Sequence, residues 1–107
     1  MTDTAQKAIP LRLAPNSGTL ERLFATFGDE LIPLEELRLR YFRNLNTETF
    51  NKALGTERIP LPLITLDDSN KAPKYVSIRH LATYIEQRAY QADQITTARI
   101  TPDDTTR

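Results

Sequence analysis

The chain has 107 residues, 39% of them hydrophobic and 26% charged, which predicts a single globular domain of ordinary size. It has no cysteine, so disulfides and thiolate metal sites, including the zinc motifs built on cysteine pairs, are excluded. The net charge is zero but uneven: three Lys/Arg against six Asp/Glu in residues 1–37, eight against four in 38–80, and three against four in 81–107, so a neutral whole still has a basic middle that can face DNA phosphates.

Residues 1–16 hold two prolines and show no sustained periodicity, which predicts a flexible N-terminal tail. They lack the basic start and unbroken apolar run of a signal peptide. No stretch approaches the roughly 18 apolar residues of a membrane helix. A cytoplasmic protein is expected.

A first helix is predicted over Thr19–Phe27, capped by Ser17 or Thr19 and stopped by Gly28. Leu20, Leu23, Phe24 and Phe27 recur at steps of three and four and line one face. A second helix is predicted around Pro33, whose missing N–H suits a first turn, with Glu35 and Glu36 near the positive end of the dipole. Leu34, Leu37, Tyr41 and Phe42 form its buried side. After the turn Arg43-Asn44-Leu45, Asn46 caps a third, short helix, and Leu45 and Phe50 stand at the positions of a hydrophobic staple. Its inner face is Phe50, Ala53 and Leu54, and Gly55 ends it. Two short helices joined by a tight turn make a helix-turn-helix.

The period then changes. Ile59–Leu66 predicts an approach and a strand whose prolines keep its start outside the ladder. Asp67–Lys74 is a polar loop, and Tyr75–Ile78 is the returning strand. This hairpin occupies the place of a wing. A last helix begins at Ser77, with Ile78, Leu81, Ala82, Ile85, Ala89 and Ala92 on one face. From residue 95 the chain is threonine-rich and broken by proline, which predicts a second flexible tail over 95–107. The expected fold is α+β, mainly α: a winged helix-turn-helix over residues 17–94 with a small β-hairpin wing.

Catalytic chemistry has little to draw on. His80 is the only histidine, and it lacks partners for a triad or a metal site. Glu35-Glu36 and Asp67-Asp68 are adjacent acids explained by a helix dipole and a turn. The three glycines are isolated, so no phosphate loop exists. Neither an enzyme nor a cofactor is expected.

The remaining constellation is a polar helix face followed by a hairpin with lysines. Asn51 suits an adenine edge and Lys52 a guanine edge. Thr47 and Thr49, at the start of the same helix, suit a phosphate. Glu48 either accepts from a cytosine amine or completes the helix start. Arg58 follows the helix, and Asn70, Lys71 and Lys74 lie on the wing loop near the minor groove. Glu48, Glu57, Asp67 and Asp68 dilute the positive face. Leu20, Leu23 and Phe24 of the first helix, with Ile85 and Ala89 of the last, are candidates for contacts between subunits; their alternative place is the core.

The run from Leu20 to Arg88 resembles the pyocin activator protein (PrtN-type) family. The features that carry the resemblance are Phe27-Gly28, Ile32-Pro33-Leu34, Tyr41-Phe42, Ile59-Pro60-Leu61-Pro62 and the segment Val76–Tyr84 with Leu81-Ala82. The likeness covers roughly residues 19–90. It implies a transcription activator acting upstream of bacteriocin or prophage genes, akin to winged-helix excisionases and small prophage regulators. By the same likeness the second helix of the unit enters the major groove and the wing touches flanking DNA, roles that fall on Thr47, Asn51, Lys52, Arg58, Lys71 and Lys74. The expected partner is double-stranded DNA, bound as a homodimer or a higher array, with RNA polymerase as a further candidate. Two alternatives stay open: an excisionase-like DNA-bending recombination factor, and a protein-interaction adaptor on a winged-helix scaffold.

Overall fold

A computed structural model of the chain describes residues 15–106. Six elements follow in order: α1 (Ser17–Phe27), β1 (Leu31–Pro33), α2 (Leu34–Tyr41), α3 (Thr47–Ala53), β2 (Tyr75–Ser77) and α4 (Ile78–Thr106). The fold is mainly helical with one small antiparallel sheet, a winged helix-turn-helix. All but the last two residues of the predicted N-terminal tail lie outside the described residues.

Asn16 caps α1: its side chain accepts from the Gly18 amide at 2.7 Å, satisfying one of the free donors of the first turn. The cap thus lies just before the predicted Ser17. Gly28 ends the helix at φ 77°, and its N–H donates to the Phe24 carbonyl, a left-handed stop that other residues adopt only with strain. Leu23 is buried, Leu20 and Phe27 pack against the core, and Phe24 is half exposed.

Leu31–Pro33, where the second helix is expected to begin, is instead a strand. Leu31, Ile32 and Pro33 pair antiparallel with Ser77, Val76 and Tyr75. Ile32 and Val76, opposite each other, are wholly buried. Pro33 suits both readings, because its fixed φ of −60° with ψ 144° ends the strand and caps α2 without needing an N–H.

That pairing also corrects the expected wing. Pro60 and Pro62 remove two amides from the approach, and Pro73 removes one from the return. The two arms therefore meet at a single bridge, where Ile64 and Tyr75 exchange N–H···O bonds of 2.8 Å each. The ladder of β2 belongs to β1. Wing residues 65–74 form a loop closed by that bridge.

Around this sheet, α1 packs on α4 and α2 packs on α3 and β1. Phe50, Ile32, Leu37, Leu61, Leu81 and Val76 are the largest fully buried side chains. Ser77 accepts from the Arg79 amide at 3.1 Å and starts α4 as expected. The helix then runs to Thr106, so the stretch 95–107 read as a tail is helical through that residue. Adding a turn to an existing helix avoids the cost of nucleation, and weak local propensity does not stop it. Every residue from Arg88 to Ile100 is exposed.

Candidate nucleic-acid interface

The seven residues of α3 separate cleanly into two faces. Phe50 and Ala53 are buried, and the Phe50 ring meets the Phe42 ring with centroids 5.1 Å apart. Thr47, Glu48, Asn51 and Lys52 are all exposed on the other side. Asn46 caps the helix by accepting from the Thr49 amide at 2.8 Å. Beyond its end, Leu54 bridges Ile59, and Gly55 at φ 81° donates to the Ile59 carbonyl.

Lys52 and Glu48 stand one turn apart with Nζ and Oε2 at 3.5 Å, both more than three-quarters exposed. A pair so open to water is weak, so Lys52 stays available to a stronger anion. Asn51 makes no side-chain hydrogen bond among the described residues. Glu48 does not reach back to the Asn46 amide; its partner is Lys52. Thr47, expected to face phosphate, has its hydroxyl donating to Glu35 Oε1 at 3.2 Å. The Thr49 amide is taken by the Asn46 cap.

That Thr47 contact belongs to a polar clasp that the sequence did not reveal. Arg38 of α2 donates twice to Glu35, from Nε at 3.1 Å and Nη2 at 2.6 Å. Its Nη1 donates to the Leu45 carbonyl at 2.8 Å. One guanidinium thus ties α2 to the turn, and Glu35 ties α2 to the first residue of α3. The Arg38 hydrogen bonds hold the Glu35 carboxyl below its usual value, against some loss of hydration. The fork lies within α2 and holds the two side chains that reach out of it, Arg38 to the Leu45 carbonyl and Glu35 to Thr47. The one available signal was the three-residue spacing of Glu35 and Arg38.

Arg58 lies exposed on the turn after α3, its amide donating to Thr56 Oγ1 at 3.2 Å. In the wing, the Ser69 amide donates to Asp67 Oδ1, and the Lys71 amide donates to Ser69 Oγ. Ala72 is tucked inward, leaving Asn70, Lys71 and Lys74 exposed. Arg58, Lys71 and Lys74 make no ion pair among the described residues. His80 is exposed, and among the described residues no three His, Asp or Glu side chains gather as a metal site. Within the same residues, no helix is long and apolar enough to cross a membrane.

Of the five candidates for subunit contact, Leu23 is buried in the core, and Leu20 and Ile85 pack against it. Only Phe24 and Ala89 of that set are exposed.

The family model described as pyocin activator protein PrtN matches residues 19–92. The chain belongs to the pyocin activator protein PrtN family. The match runs from α1 into the first half of α4 and takes in the helix-turn-helix, its clasp and the wing. The PrtN family is one of regulators rather than of enzymes. No curated protein and no solved structure matches the chain.

Proposed function

We propose that this PrtN-family chain is a sequence-specific double-stranded DNA-binding regulator that activates bacteriocin or prophage genes in the cytoplasm. The observation that supports this best is α3: four polar side chains exposed on one face of a helix whose other face is anchored by Phe50. Asn51 pairs with adenine and Lys52 with guanine in the major groove. Thr47 and Glu48 flank them on the same face. Arg58, Asn70, Lys71 and Lys74 hold backbone and minor groove on either side. One reading helix of seven residues makes a small interface, and a homodimer or higher array on repeated sites raises its affinity without new base contacts.

Selection from random duplexes at two salt concentrations tests this reading. An enriched motif is expected, with affinity falling as salt rises. Asn51→Ala or Lys52→Ala costs about 1–3 kcal/mol at the contacted base and relaxes preference there. Lys71→Ala with Lys74→Ala weakens all sequences alike and lowers the salt slope by about 2. No enrichment at low salt overturns the reading and directs attention to a protein partner.

A further inference from the structure

Two exposed patches of this chain complement each other. The first is an open groove of about 380 Å³ between the end of α1 and the outer face of α2, lined by Thr26, Phe27, Glu36, Leu39, Arg40 and Arg43. Leu39 is 50% exposed. Arg40 and Arg43 make no ion pair among the described residues. With Glu36 as the single acid beside Arg40 and Arg43, the groove is net positive, and Phe27 and Leu39 give it an apolar floor. None of its lining comes from the wing.

The second patch is the rising side of the wing. Leu66 is 74% exposed, the largest value among the exposed large hydrophobics of the described residues. Asp67 and Asp68 follow it, both exposed. Asp67 accepts only from the nearby Ser69 amide at 3.4 Å, and Asp68 makes no side-chain hydrogen bond among the described residues. The wing is therefore divided, with carboxylates at 67 and 68 and ammonium groups at 71 and 74. DNA phosphate attracts the second half and repels the first. The acidic half complements a basic surface, and the protruding Leu66 an apolar one.

We propose that the wing tip of one copy, through Leu66, Asp67 and Asp68, docks into the groove between α1 and α2 of a second copy. There Leu66 covers Phe27 and Leu39, and the carboxylates meet Arg40 and Arg43. Donor and acceptor patches are different surfaces of the same chain, so the contact is head-to-tail and leaves a free tip and a free groove at the two ends. It is small, hence weak in free solution. It stands apart from the DNA reading; where that reading holds, neighbouring sites raise the effective concentration and the same contact orders copies along the duplex.

Sedimentation velocity on the full chain without DNA tests the contact, so a failure of DNA binding leaves the outcome unaffected. The wild-type protein is expected to show a weight-average coefficient that climbs with concentration and falls back with added salt. Arg40→Glu with Arg43→Glu reverses the charge of the groove, and Asp67→Lys with Asp68→Lys reverses that of the tip; each variant alone is expected to stay monomeric. Mixed in equal amounts, the two variants offer each other two complementary pairs, native tip with native groove and reversed tip with reversed groove, and are expected to associate; all four substitutions in one chain likewise restore association. The milder pairs Arg40→Gln with Arg43→Gln, and Asp67→Asn with Asp68→Asn, cover the case of misfolding, which circular dichroism reports. A wild-type protein that stays monomeric up to millimolar concentration overturns the proposal. So does a dimer that survives in both charge variants, because its interface is then another surface.

Discussion

The helix-turn-helix turn and the wing are both connections between short elements, and they are held very differently. The turn at residues 43–46 is fixed from several directions. Arg38 grips its Leu45 carbonyl, Asn46 caps α3, Leu45 packs on the core, and Glu35 holds Thr47. The wing, by contrast, is closed by the Ile64–Tyr75 bridge, the one buried residue Ala72 and a few hydrogen bonds within its own turn. Stability concentrates where many buried contacts and bonds share one segment, and loops with few of them open at little cost. The chain thus keeps α3 in a set orientation and leaves the wing free to adjust. Under the proposed DNA-binding role, such a division suits a reading helix and an arm on the backbone.

The largest way to break this contrast is to remove the anchor of α3. Phe50 is fully buried against Phe42, and truncating a buried phenylalanine costs about 3–5 kcal/mol. For a domain of this size that is much of the total. Phe50→Ala is expected to lower the urea midpoint severely or unfold the protein. A stable, cooperatively folded variant would mean that the core does not hold α3 as described.

A smaller effect is expected from the clasp. Arg38→Ala removes the grip on both Glu35 and the Leu45 carbonyl, and amide exchange in the turn and the first turn of α3 should speed up while exchange in α4 stays unchanged. Arg38→Lys should not rescue it, because an ammonium cannot make the forked contact. The clasp also sets a pH dependence. With the Glu35 carboxyl held below its usual value in the folded protein, its stabilising contribution is complete above the ordinary glutamate value of about 4.3 and fades as pH falls through the lower folded value. In Glu35→Gln that acid-side loss should disappear from the exchange rates of the turn. An unchanged acid profile would remove Glu35 from the account.

Much of this arrangement is legible in the chain itself. Gly28 and Asn46 act where local chemistry places them, because a left-handed stop and a side-chain cap depend on neighbours within a few residues. The exposed face of α3 follows from helical spacing alone. By contrast, β1 is only three residues long, and its identity as a strand comes from the pairing of Ile32 with the distant Val76. Pro33 reads equally as the first turn of a helix. The clasp hides for the same reason: Glu35 looks like a dipole acid until Arg38 and Thr47 are brought to it by tertiary packing. Likewise, the groove exists only once Phe27 of α1 lies beside Leu39 and Arg40 of α2. Local codes survive translation into sequence; contacts between distant segments do not.

The smallest effect tests the wing itself. Ile64→Pro deletes the N–H that donates to the Tyr75 carbonyl, and one such bond contributes on the order of 1 kcal/mol. Because β2 keeps its ladder to β1 through Val76, the variant should melt close to the wild type. Amide exchange across residues 65–74 should accelerate while α3 keeps its protection. On DNA, a looser wing is expected to weaken binding to every sequence by a similar factor and leave the preferred motif unchanged, since phosphate contacts position and base contacts specify. A shifted motif would place the wing among the base-reading elements. Global unfolding would show instead that the Ile64–Tyr75 bridge is integral to the core, and the contrast between a fixed turn and a loosely held wing would fail.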